Sequence, residues 1–310
     1  MVKIIDCAIA FNETDLFEIR IEELHEVVDA FVVVETNKTH RGAQKPLLFN
    51  GITDMFPALS GRVHSYAVDD FPNVFGQRGE LYSILEHFQR NCIMRPLSTM
   101  DLDPNDIILI SDIDEIPSAS AVTKLRSLMP SKRVVIFEQI MKKFFLNNAS
   151  QRHANNVLWR GTVACLYGDL KAVTPQAVRL GDPYWARSAC VSNENCPELR
   201  PYETLIREAG WHFSSTGGQT ALDIKHATVA EGSGSSRSGD FHDRFGRHNH
   251  KLEREQRSEQ YHAFLAEYAP ELIDIDFSDR RAIQNLDIPN CIKTAPEKYE
   301  HLFYAKHPCF

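Results

Sequence analysis

Apolar and polar positions in the first half of the chain follow two alternating periods. Lys3–Ala10 is apolar around a single Asp, and Ala30-Phe31-Val32-Val33-Val34 is uninterrupted and rich in β-branched residues. Runs of this kind predict strands buried on both faces of a parallel sheet. Between them, Phe17, Ile21, Leu24 and Val28 recur at helical spacing after the polar turn Asn12-Glu13-Thr14-Asp15, with Thr14 placed to cap the helix. Arg62–Val68 predicts a third strand and Asp106–Ile110 a fourth. The helix between them sets Leu81, Ile84, Leu85, Phe88, Cys92 and Ile93 on one face, and Glu86, Gln89 and Arg90 on the other.

Strand character resumes at Arg133–Glu138, after a helix ending near Pro130, and again at Val157–Leu166. Beyond that the pattern loosens. Residues 232–239 have the Gly/Ser composition of a flexible loop, and Lys251–Tyr268 is a charged, weakly amphipathic stretch that predicts an outer helix. No internal repeat is present. Strands alternating with helices predict an α/β fold, a Rossmann-like, mostly parallel sheet flanked by helices, with a C-terminal helical extension.

Composition narrows the function. The 310 residues carry a formal net charge of −8, which argues against a nucleic-acid partner, because phosphate binding needs a basic surface. The 7 Cys are odd in number and lack metal-site spacing, which predicts free thiols in a reducing compartment. Cys190 and Cys196 lie close enough in sequence to pair, but scattered free thiols are the preferred reading. No apolar run approaches the ~18 residues of a membrane span, so the expectation is a cytoplasmic chain with no membrane span.

The strongest chemical signal is Ile108-Leu109-Ile110-Ser111-Asp112-Ile113-Asp114-Glu115-Ile116-Pro117. A buried strand ends in three carboxylates, at the sheet edge where open α/β folds bind ligands. Asp112 and Asp114 can reach one ligand sphere, and their oxygens suit Mg²⁺ or Mn²⁺ held jointly with substrate phosphates. The alternative is that one of them caps the helix beginning near Ser118. A second constellation is Gly210-Trp211-His212-Phe213-Ser214, in which His212 is a candidate metal or phosphate ligand and Trp211 a flat apolar wall. Trp159-Arg160-Gly161-Thr162 reads as a turn or a binding loop. The stretch with His242, His248, His250 and His262 matches no zinc spacing and reads as a basic loop.

In order along the chain, Phe11-Asn12-Glu13 with Glu18-Ile19-Arg20, Val28–Glu35 with Thr39, Lys45-Pro46-Leu47, the Asp112–Pro117 acids and Gly210–Ser214 with Lys225 resemble glycosyltransferase family 17. The resemblance implies a GT-A type catalytic domain over about 1–230, with a donor half near 1–130, an acceptor half near 131–230, and a loop and helical extension over 231–310. It implies inverting transfer from a nucleotide sugar, UDP-GlcNAc first among donors, to a glycan or glycoconjugate hydroxyl. Asp112, Asp114 and His212 become expected ligands of a divalent cation (Mn²⁺ or Mg²⁺). Phe11, Asn12, Glu13, Arg20, Glu35, Arg90, Asp112 and Lys225 become expected donor-binding residues, and Trp159 and Trp211 expected acceptor contacts.

Inversion also needs a carboxylate to take the acceptor proton. Glu115 is the expected base, with Glu138, Asp182 and Glu231 as alternatives. Two other functions stand beside this one: a nucleotidyl or phosphoryl transferase using the same acids, weakened by the lack of a phosphate-binding Gly-rich loop, and a catalytically inactive carbohydrate-binding protein, against which the intact Asp112, Asp114 and His212 speak.

Overall fold

The computed structural model describes residues 1–40, 42–72, 81–129, 131–143, 145–147, 158–171, 173–180, 203–217 and 279–303. Lys225, Cys190, Cys196, the Gly/Ser loop, the His-rich stretch and the helix expected at Lys251–Tyr268 lie outside them.

The apolar runs form β1 (Ile4–Ala10), β2 (Ala30–Thr36), β3 (Val63–Val68) and β4 (Ile107–Asp112). They are followed by β5 (Glu115–Pro117), β6 (Val134–Lys143), β7 (Leu158–Leu166), β8 (Glu203–Ile206) and β9 (Gly210–Ser214). The α-helices in chain order are α1 (Thr14–Leu24), α2 (Leu81–Asn91), α3 (Met94–Leu97), α4 (Ala119–Thr123), α5 (Leu125–Leu128), α6 (Tyr167–Leu170), α7 (Pro175–Leu180), α8 (Arg280–Gln284) and α9 (Asn290–Thr294).

One sheet runs in the order β3-β2-β1-β4-β7-β6-β9-β5, with β8 beside the amino-terminal half of β6. β1 pairs in parallel with β2 and β4, and β2 with β3. β7 runs antiparallel to β4 and β6, β8 and β9 run parallel to β6, and β5 runs antiparallel to β9. The sheet is mixed, with the parallel pairings in the majority.

Every position of β1 and β2 is buried because helices cover both faces. On one face, Ile4, Ala8, Val33 and Leu109 pack with Phe17, Ile21 and Leu24 of α1 and Val122 and Leu125 of α4 and α5. On the other, Ile5, Cys7, Val32 and Ile110 meet Leu85 of α2, Leu97 of α3 and Val178 of α7. A third cluster joins Leu16 and Ile19 of α1, Ile116 of β5 and Phe213 of β9 to Ile283, Ile292 and Tyr299 of the C-terminal segment. That segment adds ion pairs from Lys298 to Glu18 and from His301 to Asp15.

Thr14 is not a cap. It is the first residue of α1, Glu13 precedes the helix, and no side chain caps it. The Glu13 carboxylate instead takes the Phe11 and Asn12 amides, at 3.1 Å each.

Candidate active site

β4 delivers Asp112 to the carboxyl end of the sheet opposite Ile9 of β1, at the seam where parallel pairing gives way to antiparallel. The Ile113 amide closes onto the Ile9 carbonyl at 3.0 Å, and Asp114 lies at the turn into β5. Ser118 caps the next helix, its Oγ accepting from the Ala121 amide at 3.3 Å. Neither Asp112 nor Asp114 is therefore spent on that helix.

Three buried arginines hold the turn. From the α1 side, Arg20 makes a bidentate pair with Asp6, both bonds 2.6 Å, and donates to Ser111 Oγ at 2.5 Å and to the carbonyls of Asp112 and Glu115 at 3.2 and 2.9 Å. From the opposite face, Arg90 of α2 donates to Asp112 Oδ1 at 2.7 Å and Glu86 Oε1 at 2.7 Å, and is tied to Gln176 of α7. Arg179 of α7 donates to Glu115 Oε1 at 2.5 Å. Glu115 is wholly enclosed: Oε1 also takes the Trp159 indole N–H at 2.5 Å, and Oε2 the Asp112 amide at 3.0 Å. A base must reach the proton it removes. Glu115, the expected base, has both carboxylate oxygens engaged in holding the turn.

The same partners shape the charge. Desolvation opposes ionisation of Asp112, but the Arg90 and Arg179 guanidiniums outweigh it and hold this carboxyl below its usual range. Burial pushes the Glu115 carboxyl up, with Arg179 pulling the other way.

β9 brings in His212, opposite Glu115 on β5 and Met141 on β6. Gly210 makes this approach possible: its φ is +133°, and a Cβ there would sit 2.2 Å from the Ile116 carbonyl oxygen. His212 Nε2 lies 3.5 Å from Asp114 Oδ2, and its ring packs against Trp159 with centroids 4.8 Å apart. Its Nδ1 is buried with no partner among the described residues. Trp159 owes its place to Gly161, whose missing Cβ leaves room for the Gln139 amide oxygen, and that oxygen accepts the Thr162 amide at 3.1 Å.

Several expected donor contacts are engaged within the framework. Arg20 is fully buried beneath the turn. Glu35, also buried, takes the Leu48 and Phe49 amides at 2.8 and 2.9 Å and pairs with Lys45 at 2.5 Å, stapling the Lys45-Pro46-Leu47 segment to β2. Arg90 points inward onto Asp112. Phe11, Asn12 and Glu13 stand at the carboxyl end of β1, with Lys45 Nζ 5.3 Å from the Phe11 ring centre. Trp159 is committed to Glu115 and His212. The Trp211 indole donates to Asp287 at 3.0 Å beside the C-terminal cluster, which makes it a docking contact for that segment. Of the alternative bases, Glu138 is buried on β6 one position from Gln139 and so faces the other side of the strand, while Asp182 and Glu231 lie outside the described residues.

Sequence patterning missed Gln89, Gln139, Gln176 and Arg179. Gln89 is buried and bridges the carbonyls of Ala10 and Val34, at 3.0 and 2.9 Å, joining the ends of β1 and β2.

Among the described residues no three His, Cys, Asp or Glu side chains converge as a metal cluster. The three expected ligands are divided: Asp114 and His212 adjoin, and Asp112 gives one oxygen to Arg90 while its side chain stays 33% exposed. The two carboxylates are oxygen donors of the kind that suits a hard cation completing its shell from a ligand's phosphates, and His212 Nε2 is the ring nitrogen beside them.

The sequence model of glycosyltransferase family 17 covers residues 1–193, a stretch that includes the acid turn and the helices that carry its three buried arginines, α1, α2 and α7. The chain belongs to glycosyltransferase family 17. This family 17 chain is 33% identical over 118 residues to the beta-1,4-mannosyl-glycoprotein 4-beta-N-acetylglucosaminyltransferases of Homo sapiens and Rattus norvegicus. The alignment covers 37% of the family 17 chain and 22% of each relative, so it spans about a fifth of their length. Among solved structures, glucosyl-3-phosphoglycerate synthase from Mycobacterium tuberculosis, in complex with Mn²⁺, UDP-glucose and phosphoglyceric acid, is 13% identical with a TM-score of 0.36, over 68% of this chain and 71% of that one. S. aureus TarS 1–349 is 9% identical with a TM-score of 0.34, over 69% and 60%. No helix among the described residues is long and apolar enough to cross a membrane.

Proposed function

We propose that this protein is a metal-dependent, inverting glycosyltransferase of the GT-A type. It transfers a sugar, GlcNAc first among candidates, from a UDP-sugar to a glycan hydroxyl. The observation that carries the reading is the acid turn itself, with Asp112 and Asp114 at the carboxyl end of the central strand, fixed from both faces by buried arginines.

Asp112 and Asp114, with His212 beside them, would hold the cation, which supplies neutralisation of the charge that develops on the departing nucleoside diphosphate. The protein's own part is to have these groups in place beforehand. Arg20 fixes the backbone of the turn, Glu115 receives its Asp112 amide, and Arg90 holds the Asp112 carboxylate, so no side chain need reorganise as charge moves. Phe11, Asn12 and Glu13 lie at the neighbouring strand end and are assigned to the nucleotide. None of the described carboxylates is assigned as the base.

The test is UDP release from a panel of UDP-sugars with Mn²⁺, followed by NMR of the product's anomeric configuration. The reading expects release from UDP-GlcNAc that EDTA abolishes, an inverted product, and loss of both in Asp114→Ala. Transfer of the nucleotide portion would instead identify a nucleotidyl transferase. Metal-independent glycan binding without UDP release from any donor would identify a non-catalytic binding protein.

A further inference from the structure

Arg90 is expected to bind donor, yet its side chain is 2% exposed and its bonds go to other side chains of the protein. Its Nη2 donates to both Asp112 Oδ1 at 2.7 Å and Glu86 Oε1 at 2.7 Å, and its Nη1 donates to Gln176 Oε1. Besides the acid on β4, Glu86 lies on Arg90's own helix α2 and Gln176 on α7, so the guanidinium is anchored by two further partners as it holds Asp112.

We propose that Arg90 is the positioning residue of the cation site. By binding one oxygen of Asp112 it fixes the rotamer of that carboxylate and presents the other edge outward, beside Asp114. The proposal rests on the cation-dependent reading above and adds to it the group that sets the geometry of the site.

Charge and geometry make opposite predictions here, which allows a clean separation. A guanidinium near a cation site repels the cation, so if Arg90 acted through charge alone its removal would tighten cation binding. A group that preorganises a ligand does the reverse: losing such a partner weakens metal affinity by roughly 10- to 100-fold. Lysine separates the two again, because it keeps the charge but presents a point donor in place of a planar fork.

The experiment titrates Mn²⁺ into the full chain with UDP present and reads free Mn²⁺ by electron paramagnetic resonance, for wild type, Arg90→Met, Arg90→Lys and Gln176→Ala. Circular dichroism checks the fold of each. The expected result is a Mn²⁺ dissociation constant raised about tenfold or more in both Arg90 variants, and raised severalfold in Gln176→Ala, which keeps the charge and loosens only the anchor. Tighter binding in Arg90→Met with wild-type affinity in Arg90→Lys would overturn the proposal in favour of a charge effect. Unchanged affinity in the folded variants would overturn it outright. If neither Arg90 variant folds, Gln176→Ala decides, and wild-type affinity there counts against the proposal. Wild type that binds no Mn²⁺ with UDP would sink the functional reading itself, a result distinguishable from all of these.

Discussion

Arg179 and Glu115 form a 2.5 Å ion pair in which the side chains are 2% and 0% exposed. Breaking a pair of this kind from one side leaves the other charge buried and unmatched, which costs roughly 3–5 kcal/mol. Glu115→Ala and Arg179→Met are each expected to lose about that much stability in urea unfolding, and the double variant less than the sum. Glu115→Ala also removes the acceptor of the Trp159 indole, so the emission of Trp159, isolated by comparison with Trp159→Phe, should shift. Additive losses would contradict a coupled pair.

Arg20 should be the least replaceable residue of α1. It satisfies Asp6, Ser111 and the carbonyls of Asp112 and Glu115 at once. Arg20→Met is expected to destabilise by about 3–5 kcal/mol, and Asp6→Leu with Arg20→Met to recover part of that loss. Chemical denaturation of the two variants beside wild type measures it.

Gly210→Ala places a methyl group 2.2 Å from the Ile116 carbonyl oxygen and 2.7 Å from Pro117 Cα, at a φ that L-residues rarely adopt. β9 must move away from β5, at about 2–4 kcal/mol. The expected outcome is a lowered melting temperature together with impaired Mn²⁺ binding, because His212 travels on the displaced strand. A variant that loses stability but binds Mn²⁺ as wild type does would separate His212 from the cation.

Burial pushes the Cys165 thiol up to about 12. The folded state then keeps a proton that the unfolded chain releases near pH 8.5, so this contribution is fully present below pH 8.5 and is lost as pH rises toward 12. The slope is about 1.4 kcal/mol per pH unit from this group. Melting temperatures between pH 8 and 10.5 should fall in wild type and fall less steeply in Cys165→Ala. Equal slopes would dispose of the assignment.

What could be read from the sequence divides along physical lines. β1, β2 and β4 announce themselves because strands covered on both faces must be apolar throughout, and the acids after Ile110 stand out against that run. α2 shows the limit. The expected apolar face put Ile84 inside and Gln89 and Arg90 outside, because a polar face in a sequence pattern normally means water; here Ile84 is 44% exposed, and Gln89 and Arg90 are 3% and 2% exposed. A buried arginine has no periodic signature; only its partners reveal it, and Asp112 and Gln176 are remote in sequence. β5 and β9 are short, and their pairing depends on the clearance at Gly210 more than on any apolar run. The matched segments also carried a hidden distinction, since Glu35 with Lys45 and Arg20 with Asp6 are struts of the framework.

The register that sets Ile9 beside Asp112 also bears on how the chain is made. Those two residues are separated by about a hundred positions, and Glu115 and His212 by nearly as many. Contacts of such long range pay their loop-closure entropy late. The acid turn should therefore gain structure among the last parts of the molecule, after α1, α2 and α7 have docked and with their arginines already waiting. Refolding should be slow, and its final phase should be the one in which Trp159 becomes enclosed and cation binding first appears.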